Sequence, residues 1–139
     1  MFDEVIISED VYREVTLKFS TQEATDVKNA IEVGKWIKVK KSQKLEGIIG
    51  AGESTSIKLA LKFNQPLIID DKKAAIIGKS MGIECHGTLY VVWLSLKIGI
   101  LKNKKEAIEI VNQLISNNLY VRSDVLSEFY ELLNKINIK

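Results

Sequence analysis

At 139 residues with 46% hydrophobic content, the chain can bury a proper core, and a single domain spanning 1–139 is expected. A charged fraction of 27% and a formal net charge of +2 describe an ordinary water-facing surface, so any polyanionic partner must be argued from local clusters. One cysteine, Cys85, excludes an internal disulfide, no apolar run reaches the roughly 18 residues of a membrane span, and Met1-Phe2-Asp3-Glu4 lacks signal-peptide character; a cytoplasmic protein with no membrane partner is expected.

Val5-Ile6-Ile7 is a short β-branched run, and Ser8 after it can cap a helix whose first turn, Glu9-Asp10, is favourable to its dipole. Val11, Val15 and Phe19, joined by Tyr12, give that helix a buried face. Ser20 to Glu23 has the form of a capping box, predicting a second helix that ends near Gly34. Trp36-Ile37-Lys38-Val39 alternates as a strand does, and Lys40 to Gly52 is predicted as a loop.

From Glu53 to about Asn64, Ile57, Ala60 and Leu61 recur at helical spacing, and Pro66 stops the helix. Leu67-Ile68-Ile69 reads as a parallel strand buried on both faces and ends in Asp70-Asp71. Lys72 to Met81 is predicted helical with Gly82 as its left-handed stop, and Ile83-Glu84-Cys85-His86 as a last strand. Helices are then expected over Thr88 to Ile98, Lys104 to about Asn117 and Ser123 to about Ile136. Alternating strands and helices before a helical tail predict a three-layer α/β/α domain with a parallel sheet.

Ligands of open parallel sheets bind beyond the carboxyl ends of the strands. Asp70 and Asp71 end the most apolar strand, Glu53 leads a helix, and Glu14 borders the Val11, Val15 face. Carboxylates gathered there would repel one another, and a divalent cation relieves that repulsion; all-oxygen ligands suit Mg2+ or Mn2+. Such a centre favours metal-assisted phosphodiester hydrolysis. Acids at helix starts are also the commonest caps and dipole partners, and spacing alone leaves that plainer reading open.

The stretches Gly52-Glu53-Ser54-Thr55-Ser56-Ile57-Lys58-Leu59-Ala60-Leu61, Pro66-Leu67-Ile68-Ile69-Asp70-Asp71-Lys72-Lys73-Ala74 and Gly87-Thr88-Leu89 resemble a prokaryotic branch of the PIN superfamily. So does the segment from Phe2 to Val15. The resemblance implies a parallel sheet between two helical layers, an acidic pocket holding Mg2+ or Mn2+, and RNA cleavage, often in toxin-antitoxin pairs. By motif match, Glu14 takes the place of the acid in the family's second strand-helix unit and Glu53 that of the acid opening its middle helix. Asp71, with Asp70 beside it, takes the place of the acid after the fourth strand. The four are the expected catalytic residues, and Glu14, Glu53 and Asp71 the expected metal ligands.

Two departures qualify that expectation. The family's first strand, which is central in its sheet and ends in an Asp, precedes the Phe2 segment and has no counterpart here, so a missing central strand and weak or lost activity are expected. Ile69 also stands where many members carry a hydroxyl. The alternative is a non-catalytic interaction protein that uses the fold for self-association as a homo-oligomer or for binding an antitoxin-like partner, since a missing strand exposes sheet edges.

Other signals carry less. Gly47 to Ser54 has P-loop spacing, but Glu53 occupies the position where the phosphates need a lysine. Lys35, Lys38, Lys40, Lys41 and Lys44, like Lys72-Lys73 and Lys102, Lys104, Lys105, suit either phosphate contact or protection of a strand edge. Cys85 and His86 are too few for zinc, and Tyr90, Trp93 and Leu94 fit a packed helix better than a base-stacking platform.

Overall fold

In the computed structural model, which describes residues 2–18, 22–45, 47 and 49–136, the β-branched run after Glu4 forms strand β1 (Val5–Ser8). Helix α1 (Glu9–Lys18) follows at once, with Ser8 Oγ accepting from the Val11 amide at 3.1 Å, the cap its position predicts. Val11, Tyr12 and Val15 are half-buried, as their spacing requires, whereas Phe19 and the Ser20 half of the capping box lie outside the described residues. Helix α2 (Gln22–Glu32) returns the chain to strand β2 (Ile37–Lys40). β2 lies parallel to β1, with Val5 opposite Ile37 and Ser8 opposite Lys40.

Helix α3 (Ala51–Phe63) begins two residues earlier than the glycine-rich approach suggests, so Glu53 stands inside its first turn rather than at its start. Asn64 ends it in the left-handed region, φ 51°, and the Gln65 amide closes back on the Ala60 carbonyl at 3.1 Å before Pro66. Strand β3 (Leu67–Ile68), helix α4 (Lys72–Ser80) and strand β4 (Cys85–His86) complete a second parallel crossover, with Gly82 at φ 84° in the turn.

Among the described residues β1 pairs only with β2 and β3 only with β4, so the strands form two parallel ribbons rather than one continuous sheet. Both ribbons pack against α3. Ile57 and Ala60 of α3, Leu67, Ala74 of α4, Ile83 and Cys85 make the core there, each large apolar side chain contributing about 1.5–3 kcal/mol by leaving water. Leu67 faces that core while Ile68, on the other side of the strand, is 43% exposed. β3 is therefore covered on one face and not on both, because α3 and α4 both contribute to the Leu67 side.

The chain divides into two units, Phe2–His86 and Gly87–Lys139. The second is helical: α5 (Thr88–Lys97) packs against α6 (Lys104–Ser116) and α7 (Ser123–Lys135) around Leu89, Leu96, Val111, Phe129 and Leu133. Asn103 caps α6 through the Glu106 amide at 2.9 Å, and the Glu106 carboxylate accepts from the Lys102 amide at 2.8 Å, so two orphan donors are satisfied reciprocally. Tyr90 and Trp93 stack within this unit with ring centroids 5.7 Å apart, in keeping with a packed helix. Among the described residues no helix is long and apolar enough to cross a membrane.

Candidate functional site

The amino end of α3 gathers the most chemistry. Its cap residue, Gly50, has no side chain with which to bond the first turn, although its carbonyl accepts from the Ser54 amide at 2.9 Å. The first amides of a helix have no acceptor within it and concentrate the positive end of the helix dipole. Two carboxylates stand there. Glu53 folds back over Gly50. Glu14, from α1, lies over the buried Gly52, so close that a Cβ on residue 52 would stand 2.6 Å from Oε1 and 2.9 Å from Oε2. Glycine at 52 is what admits the Glu14 carboxylate to the helix end.

Buried hydroxyls hold α1 and α3 in that relation. Ser8, fully buried at the end of β1, is 2.8 Å from the Thr55 hydroxyl, which also lies 2.7 Å from the Ala51 carbonyl. Each hydroxyl has one proton, and a chain in which Ser8 donates to Thr55 and Thr55 to Ala51 satisfies both. Because Ser8 also caps α1, this contact fixes where α1, and Glu14 with it, begins relative to α3. The loop before α3 is tied down too: Ser42 donates to the Thr55 carbonyl at 2.9 Å, and Ser54 Oγ accepts from the Leu45 amide.

The predicted acids are therefore brought together in part. Glu14 and Glu53 share the α3 terminus, and among the described residues neither carboxylate has a hydrogen bond or ion pair. Asp71 is the cap of α4, its Oδ1 accepting from the Ala74 amide at 2.8 Å, and Asp70 precedes it at the end of the β3 segment. Among the described residues no three of the His, Cys, Asp and Glu side chains are grouped to hold a metal ion. Mg2+ keeps several waters and is commonly held by one or two carboxylates. The free pair Glu14 and Glu53 meets that requirement, while Asp71 has one oxygen engaged by its helix.

Cys85 is buried against Gly78, and burial pushes its thiol pKa up, with the Lys79 ammonium opposing. His86 Nε2 lies 3.7 Å from a Glu84 carboxylate oxygen at the surface. The P-loop-like glycines lead into α3 with Glu53 folded over Gly50. Sequence reasoning missed Gly52 as the seat for Glu14 and the Ser8–Thr55 contact. The signal available was a Ser-Thr-Ser run on a helix that is otherwise apolar, whose first two hydroxyl residues prove buried.

With this geometry in hand, comparison with known proteins matches residues 1–135 to a family model described as a PIN domain. No curated protein and no solved structure matches significantly.

Proposed function

Since the chain belongs to the PIN-domain family, we propose that it is a metal-dependent ribonuclease domain of weak activity. Glu14 and Glu53 would hold Mg2+ or Mn2+; Asp71 and Asp70, after β3, are the further acids that the family resemblance implies, and they are not grouped with the pair in this structure. The observation that supports this reading most is that Glu14 and Glu53, distant in the chain, both stand at the α3 terminus, over Gly52 and Gly50, with no hydrogen bond or ion pair among the described residues. A cation bound there supplies an activated water and compensates charge on the leaving oxygen of a phosphodiester. The protein's own part is to leave room at Gly52 for the Glu14 carboxylate and, among the described residues, to keep both carboxylates unpaired. With Asp71 engaged by its own helix, metal affinity would be weak, because affinity follows ligand number and gathered charge. The setting is cytoplasmic and the substrate RNA.

The test is cleavage of single-stranded RNA by purified protein in Mn2+. Cleavage abolished by Glu53→Gln and by Asp71→Asn supports the centre; cleavage that persists in EDTA, or none at all, overturns it.

A second reading, a non-catalytic interaction protein, is favoured by the two separate ribbons. Among the described residues the second edges of β1 and β3 have no ladder partner. Open edges and the exposed Ile68 are surface that a second copy or an antitoxin-like protein covers. Light scattering at high concentration decides for self-association: a stable oligomer supports it, and a monomer overturns it.

A further inference from the structure

The exposed face of β2 carries an aromatic side chain among unpaired cations. Trp36, Lys38 and Lys40 are exposed and alternate with buried Ile37 and half-buried Val39, so the strand's period of two sets them along one face. Trp36 is 47% exposed. Its backbone is pinned from both sides, its amide donating to the Ala30 carbonyl at 3.1 Å and its carbonyl accepting from the Val5 amide at 2.8 Å. The indole rests against Gly34, where a Cβ would stand 2.9 Å from Cδ1. Beyond β2, exposed Lys41 and Lys44 continue the series on the segment that Ser42 and Leu45 tie to α3. Among the described residues none of these lysines is ion-paired.

We infer that this strip, Trp36 to Lys44, is a binding track for single-stranded nucleic acid, with one base stacked on Trp36 and the backbone following Lys38, Lys40, Lys41 and Lys44 toward the amino end of α3. Protection of an edge strand explains lysines and not the indole, because an exposed tryptophan on an edge invites the association that lysines resist. Base stacking on an aromatic side chain beside cations that track phosphates is the common way of binding single strands. From Trp36 the exposed lysines continue toward Lys44, and that sets the course of the track. The track rests on the nuclease reading for its direction toward Glu14 and Glu53, and on its own residues for binding.

The experiment separates the two by measuring binding without metal: anisotropy of a fluorescein-labelled oligouridine titrated with the full chain in EDTA, at several salt concentrations. Trp36→Ala is expected to weaken binding about tenfold, within the range of one lost stacking contact, with Trp36→Phe retaining most of it. Lys38→Gln with Lys40→Gln is expected to flatten the salt dependence by about 0.7 per lysine. Circular dichroism checks that these surface variants stay folded. Unchanged binding in both sets of variants, no binding by the parent chain, or equal competition by polyglutamate overturns the track. A track that fails beside RNA cleavage in Mn2+ leaves the nuclease reading standing; binding in EDTA without cleavage does the reverse.

Discussion

The Glu14 carboxylate occupies the space in which a side chain on residue 52 would stand, its Oε1 only 2.6 Å from the position of a Cβ there. Gly52→Ala therefore expels the carboxylate from the amino end of α3. The fold loses little, because Glu14 is exposed and can swing into solvent, and alanine is the better helix former by about 1 kcal/mol. The expected outcome is a Tm unchanged or raised together with weaker Mn2+ binding by calorimetry. A fall in Tm with unaltered Mn2+ binding would mean that the glycine serves packing alone.

Ser8 and Thr55 are both fully buried, and each serves the backbone as well as the other. Ser8→Ala removes the α1 cap and is expected to cost about 1–2 kcal/mol in urea unfolding. Thr55→Val leaves the Ser8 hydroxyl buried without its acceptor, at about 1–3 kcal/mol. Removing both strands no polar partner on the other side, so the double variant should lose less than the two single losses added together. Strict additivity would show that the hydroxyls do not act as a pair.

Most elements were legible because local rules name them: Ser8 as a cap, Asn64 before Pro66, Gly82 at positive φ and the alternation of Ile37 and Lys38 each express backbone chemistry within a few residues. The partition of the strands was not legible in this way. Whether Ile68 meets a further layer depends on what the remote segments pack against, and nothing within Leu67-Ile68-Ile69 encodes that. The candidate site shows the same division. Glu53 was chosen for its place at a helix start and Glu14 for bordering the Val11, Val15 face, but the approach of Glu14 to the α3 terminus depends on Gly52, an absent side chain, and on a hydroxyl contact between β1 and α3. Asp71 illustrates the opposite hazard, since the position that suits a ligand at the end of a strand also suits the cap that it forms on α4.

Cys85 offers a readout of burial through pH. Desolvation raises its thiol pKa above the ordinary 9.0, the Lys79 ammonium opposing, so the folded chain holds this proton more tightly than the unfolded one. This contribution to stability is whole below the unfolded pKa and is lost as pH climbs through the folded value, because the unfolded state ionises first. Unfolding free energy should thus decline more steeply above pH 9 in the parent chain than in Cys85→Ala. Lys79→Ala removes the opposing charge and should slow alkylation of the native thiol further. Alkylation as fast as that of a free thiol would place Cys85 in solvent.

Gly78 lets α4 approach β4, since a Cβ on it would stand 2.8 Å from Cys85 Sγ, with Ile57 and Ile83 atoms at 4.0 Å. Unlike Glu14 at the surface, this sulfur is buried and has no solvent into which to move. Gly78→Ala is therefore expected to cost about 1–3 kcal/mol as overpacking despite alanine's better helix propensity. The same reasoning predicts rescue: Cys85→Ala deletes the atom that clashes, so Gly78→Ala in that background should cost less than in the parent, and the double variant should be more stable than the sum of the single changes. Denaturant unfolding of the four proteins in the cycle measures that coupling. A cost that is the same in both backgrounds would mean that the close approach is relieved elsewhere, by a shift of α4, and that Cys85 does not set the spacing between helix and strand.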